Sequence, residues 1–137
     1  MPREINQWAM YPRKTSTAYL PESLKLEVTT KANELIETVL KPKFIQPPPE
    51  NPQFNYMVNI YGKWYHKAFY FSAEYRVAGP NPIQPSFEAK FARMQFAGNQ
   101  RFHLSYMRYT GQWIQLYTDL TVDECIEAIN DEPYFSP

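Results

Sequence analysis

Few side chains in this sequence have the right type for chemistry: 137 residues carry two histidines, one cysteine and four glycines. His66 and His103 are imidazoles set among aromatic residues, the arrangement that holds a haem iron from an axial position. Met57 and Met107 are thioethers able to fill a second axial position. The bland alternative is a pair of half-exposed histidines bonded to neighbours such as Asn59 and Ser105. No Cys-x-x-Cys-His attachment motif is present to decide for haem.

Hydrolytic chemistry has less behind it. Asp119, Asp123, Glu124, Glu127, Asp131 and Glu132 crowd the C-terminal segment, where acids cap a helix start and line its solvated face. Cys125 falls on an apolar stripe with no histidine beside it, which is the setting of a core residue. There is no nucleophile-elbow context for a serine and no Gly-rich phosphate loop. The expectation is a chain without enzymatic activity.

Composition narrows the partners. Fourteen basic residues balance fourteen acidic ones, so no global field draws the chain to nucleic acid or to an acidic membrane. Apolar residues make up 44% and aromatic ones 17%, a globular composition biased toward strands. One cysteine excludes an internal disulfide and fits a reducing compartment. MPREINQWAM lacks the apolar stretch of a signal peptide, and no run approaches the roughly 20 apolar residues of a membrane span. A cytoplasmic, soluble protein is expected.

The elements that must position these groups follow from periodicity. Residues 1–20 show no clean period yet hold Ile5, Trp8, Met10, Tyr11 and Tyr19, which reads as an arm that docks rather than a free tail. Residues 21–137 read as one α+β domain. From Glu22 to Lys41, Leu24, Val28, Ala32, Leu35, Ile36, Val39 and Leu40 recur at helical steps, and Pro42 is expected to end the helix. FIQPPPENPQ, residues 44–53, is an extended connector.

Beyond it the pattern has period two. Gly62-Lys63 reads as a two-residue hairpin loop that places Tyr61 opposite Trp64, Ile60 opposite Tyr65, Tyr56 opposite Phe69 and Phe54 opposite Phe71. After a second proline-rich loop (78–85), a slip in alternation at Ala92-Arg93 predicts a bulge. The next registers pair Phe96 with Phe102, Met94 with Leu104, and Ala92 with Tyr106. In YMRYTGQWIQLY, Gly111 closes a three-residue turn that sets Tyr106 against Ile114 and Leu104 against Leu116. Thr121 and Glu124 form a capping box before a short final helix. A long N-terminal helix packed on a meandering antiparallel sheet of about five strands, with a short C-terminal helix, buries each apolar face once.

The same registers leave a second aromatic face that one helix cannot cover. Trp64, His66, Tyr70, Arg93, His103, Met107, Trp113 and Tyr117 are the candidate binding residues on it, with His66 and His103 as axial ligands if the ligand is haem. Three occupants compete for this face. The arm of residues 1–20 or a second copy of the chain would bury it, making a homo-oligomer. A planar apolar ligand such as haem would fill a pocket there. A macromolecular partner would dock on it, and protein suits the charge balance better than single-stranded nucleic acid does. No metal site and no other cofactor are expected.

The stretch from PSFEAKFARMQF through QRFHLSYMRYTGQWIQLYTDL to ECIEAINDEPYFSP resembles small bacterial domains of an uncharacterised family. Those domains run strand, turn and strand into a Gly-x-Trp hairpin, here Gly111-Gln112-Trp113, then a short acidic helix and an Asp-x-Pro ending, here Asp131-Glu132-Pro133. The topology is similar to the cystatin-like superfold. The resemblance implies a fold and brings no activity or site residues with it.

Overall fold

The computed structural model describes residues 18–137. The expected arm falls almost entirely outside them. Of its last positions, Leu20 is buried in the core and the Ala18 carbonyl accepts a hydrogen bond from Lys67 Nζ at 2.6 Å.

Helix α1 (Glu22–Leu35) forms because Leu24, Val28, Ala32 and Leu35 recur along one side, and all four are buried. The helix does not stop at Pro42, as the sequence suggested. It passes through a π turn over Ile36–Leu40 into α2 (Lys41–Phe44), with Pro42 in that last turn. A proline inside a helix lacks an N–H, and its ring crowds the carbonyl four residues back. Here Lys41 N–H already bonds to Ile36, five residues back, so the widened turn absorbs the proline where a regular helix would break.

Five strands follow: β1 (Tyr56–Tyr65), β2 (Ala68–Arg76), β3 (Ser86–Gly98), β4 (Arg101–Met107) and β5 (Trp113–Leu120). They form one antiparallel sheet in sequence order. Helix α3 (Val122–Asp131) comes last and starts at the expected capping box. Thr121 Oγ1 accepts Glu124 N–H at 3.1 Å, and Glu124 Oε1 accepts Thr121 N–H at 2.9 Å. The architecture is an α+β fold in which the helices lie on one side of the sheet. No helix among the described residues is long and apolar enough to cross a membrane.

The register between β1 and β2 differs from the expected one. Trp64 pairs with Phe69, Gly62 with Phe71 and Tyr61 with Ser72, so the hairpin turns at His66-Lys67 and not at Gly62-Lys63. Gly62 sits within the strand because a Cβ there would overlap the Phe69 ring. His66 takes the left-handed conformation, φ 54°, that the tight turn needs. Phe54, expected to pair with Phe71, lies before the sheet and is exposed.

The later registers hold where they were expected: Phe96 with Phe102, Met94 with Leu104, Ala92 with Tyr106, and Tyr106 with Ile114. The bulge expected at Ala92-Arg93 falls just before it, at Phe91, which turns into the core 6.1 Å from Phe71. Leu104 faces Tyr117 and not Leu116, because a further bulge adds a residue to β5. Cross-strand partners share a face. The core side of the sheet therefore runs Trp64–Phe69–Met94–Leu104–Tyr117 and Gly62–Phe71–Ala92–Tyr106–Ile114. Phe69, Phe71, Met94 and Leu104 are almost fully buried there, together with Phe135 at the chain's end.

Candidate functional site

With one side of the sheet under the helices, alternation sends every second residue to the open side. One row crosses all five strands: Lys63–Tyr70–Arg93–Ser105–Gln115. Beside it run Tyr61–Ser72–Lys90 on β1 to β3 and the pair Met107–Trp113 on β4 and β5. On this side lies an open groove of about 390 Å³, lined by Tyr61, Lys63, Tyr65, Tyr70, Ser72, Glu88, Lys90 and Trp113.

Trp113 closes one wall. Its ring lies 5.8 Å from the Tyr70 ring, although three strand spacings of about 4.8 Å separate β2 from β5. The two side chains close that gap by leaning toward each other over β3 and β4. The Arg93 guanidinium lies over the Trp113 ring, 4.9 Å from the indole centroid, with Nη2 donating to Ser105 Oγ at 3.4 Å. Its Nε is buried without a hydrogen-bond partner. A buried donor left unpaired costs about 1–3 kcal/mol, so this strained feature sits against the groove wall and not in the structural core.

Charge at the groove is uneven. Lys90 Nζ stands 5.8 Å over the Tyr70 ring. Lys63, Lys90 and Arg93 make no ion pair with a carboxylate among the described residues. At the other end, burial pushes the Tyr61 phenol up to about 12, helped by Glu88 within hydrogen-bonding reach of its hydroxyl. Glu74 and Glu88 are cross-strand partners at that end. The groove is therefore aromatic along its walls, cationic over most of its length and anionic at one end.

Of the eight candidates from the sequence, Tyr70, Arg93, Met107 and Trp113 come together on the open side. Trp64 does not. The shifted hairpin turns it to the helix side, where its Nε1 donates to Thr29 Oγ1 at 2.9 Å and its ring meets Phe69 edge-on at 5.3 Å. Tyr117 also lies on the helix side, carried there by the β5 bulge, and donates to Glu132 at 2.5 Å. Met57, the other thioether, is packed against the core after a bulge in β1.

The histidines are not brought together. His66 occupies the exposed β1–β2 turn, its ring 4.3 Å from Tyr65 at the groove rim. His103 faces the open side but is 8% exposed, and its Nδ1 accepts the Asp119 backbone N–H at 3.3 Å. Neither lines the groove. A haem held between two imidazoles does not fit this placement, although one held by His66 alone at the rim would be compatible with it. No cluster of three or more metal-ligating side chains occurs among the described residues.

Of the lining, the sequence candidates missed Tyr61, Lys63, Tyr65, Ser72, Glu88 and Lys90. Their signal was present. Tyr61, Lys63 and Tyr65 alternate, as do Glu88 and Lys90, and both sets fall beside Tyr70 once the turn is placed at His66-Lys67. No curated protein and no solved structure matches the sequence. Residues 20–137 match the family described as a domain of unknown function, DUF3024, and the chain belongs to that family.

Proposed function

We propose that this protein is a non-enzymatic binding module whose working surface is the groove between Tyr61, Tyr70 and Trp113. The observation that carries this reading is Arg93, held between Trp113 and Ser105 with a buried Nε that the described residues leave unpaired. Departures of this kind from full hydrogen-bond satisfaction cluster at functional sites, which supports a surface that receives something. Aromatic walls with unpaired cations at the rim suit a flat ligand or a partner's side chain. The long helix across a five-stranded meander supports a cystatin-like topology, a scaffold compatible with binding and indifferent to which ligand is bound. A cytoplasmic location fits the single cysteine.

Haem is the second reading. It draws on His66 resting against Tyr65 at the rim, which offers one axial ligand.

A thermal-shift screen of flat compounds, haemin included, run beside sedimentation at several concentrations, tests both readings. The proposal expects stabilisation by at least one compound, or self-association, that is lost in Tyr70→Ala/Trp113→Ala. Binding or association untouched by that double variant contradicts it. A Soret band that persists in His66→Ala removes haem ligation at the rim.

A further inference from the structure

The lining restricts the chemistry of an occupant further. Tyr61 and Tyr65 come from β1, Tyr70 from β2 and Trp113 from β5, so aromatic side chains from both edges of the sheet line the groove. Such a lining suits a flat ring laid against it, since ring–ring packing adds about 0.5–1.5 kcal/mol beyond the area buried. Lys63, Tyr70 and Arg93 are consecutive cross-strand partners, so the Tyr70 ring is flanked by a cation on each side, with Lys90 above it.

Charge then selects the rest of the ligand. The Lys63, Lys90 and Arg93 cations make no ion pair among the described residues, while Glu88 and its cross-strand partner Glu74 lie toward the other end. A phosphate monoester carries about −1.5 to −2 at neutral pH and three terminal oxygens, which suits a row of three cations better than the single charge of a carboxylate does. The Glu74–Glu88 pair at the far end repels an anion and directs it toward the Lys63–Arg93 row. A volume of about 390 Å³ lies near the lower bound of roughly 300 Å³ for small-molecule sites. That is room for one ring system with its phosphate.

We propose that the groove binds a small aromatic phosphate monoester, with its ring against Trp113 and the tyrosines and its phosphate between Lys63, Lys90 and Arg93. This rests on the groove being the working surface. A nucleoside 5′-monophosphate is the simplest probe of the class.

Calorimetric titration of the full chain with adenosine, guanosine, cytidine and uridine 5′-monophosphates tests it, with adenosine, inorganic phosphate and a six-nucleotide single strand in parallel. At least one monophosphate is expected to bind, at least ten-fold more tightly than adenosine or phosphate alone. Its affinity should fall at least ten-fold in Lys63→Gln/Lys90→Gln, whose exposed side chains hold no ion pair, so that its melting temperature stays that of the parent. Silence from all four monophosphates at about 5 mM overturns the proposal, as does tighter binding of the single strand than of any monophosphate. If haemin or another flat compound without a phosphate binds in a Trp113-dependent manner while the monophosphates stay silent, the phosphate falls and the groove stands. If Trp113→Ala changes nothing for any compound or for self-association, both fall.

Discussion

Trp64 donates its indole N–H to the Thr29 hydroxyl across 2.9 Å, tying the end of β1 to the middle of α1. The bond marks the side of β1 that the register turns to the helix. With Trp64 on that side, alternation leaves Tyr61, Lys63 and Tyr65 to the groove. Thr29→Val keeps the shape and leaves the indole donor unpaired, which should cost about 1–3 kcal/mol in urea-induced unfolding. Ligand affinity in the same variant should be unchanged.

Gly62 is a packing residue and not a turn residue. Its missing side chain is the space that Phe69 occupies. Gly62→Ala should destabilise by about 1–3 kcal/mol through overpacking, measured from the denaturation midpoint. At the real turn, His66→Gly should leave stability unchanged or raise it slightly, because φ 54° suits glycine better than histidine. The opposite pattern would restore the hairpin loop at Gly62-Lys63.

These two positions also show how far the sequence could be read. Between β3 and β5 the turns carry their signatures: Gly111 at φ 86°, and Asn99-Gln100 with φ of 51° and 57°. The registers beside those turns, up to the bulge at Leu116, follow from local chemistry. The β1–β2 hairpin has no such mark, since His66-Lys67 is an unusual turn pair and Gly62 nearby imitates one. Shifting that turn moved Trp64 to the other side of the sheet, because the side-chain period is two. Bulges did the same for Tyr117 and Met57, since their extra residues answer tertiary packing that no short window records. What survived was the existence of a second aromatic face and the placing of Tyr70, Arg93 and Trp113 on it.

Tyr61 offers a pH test. Its folded pKa is pushed up to about 12, first by burial and then by Glu88, above the unfolded value near 10. A raised pKa means the fold holds the neutral phenol. The contribution is complete below about pH 10, and it is lost as pH rises through 12. Spectrophotometric titration should show one tyrosine ionising near 12 that disappears in Tyr61→Phe. Glu88→Gln should move it down toward the ordinary range, whereas an unmoved titration would mean that Glu88 does not engage the phenol.

Arg93 should separate stability from function. Met fills a similar volume without the unpaired Nε donor, so Arg93→Met should leave the melting temperature unchanged or raise it, by at most about 1 kcal/mol in stability. Binding at the groove should fall ten-fold or more in the same variant. A clear loss of stability would show that Arg93 serves the fold through Ser105 and Trp113 rather than a ligand.

The direct test of which face works is the response of the assigned indole N–H signals to whatever ligand or partner copy the protein engages. Binding should shift Trp113 and leave Trp64, tied to Thr29, where it was. A shift at Trp64 with Trp113 unmoved would put the working surface on the helix side and contradict the groove.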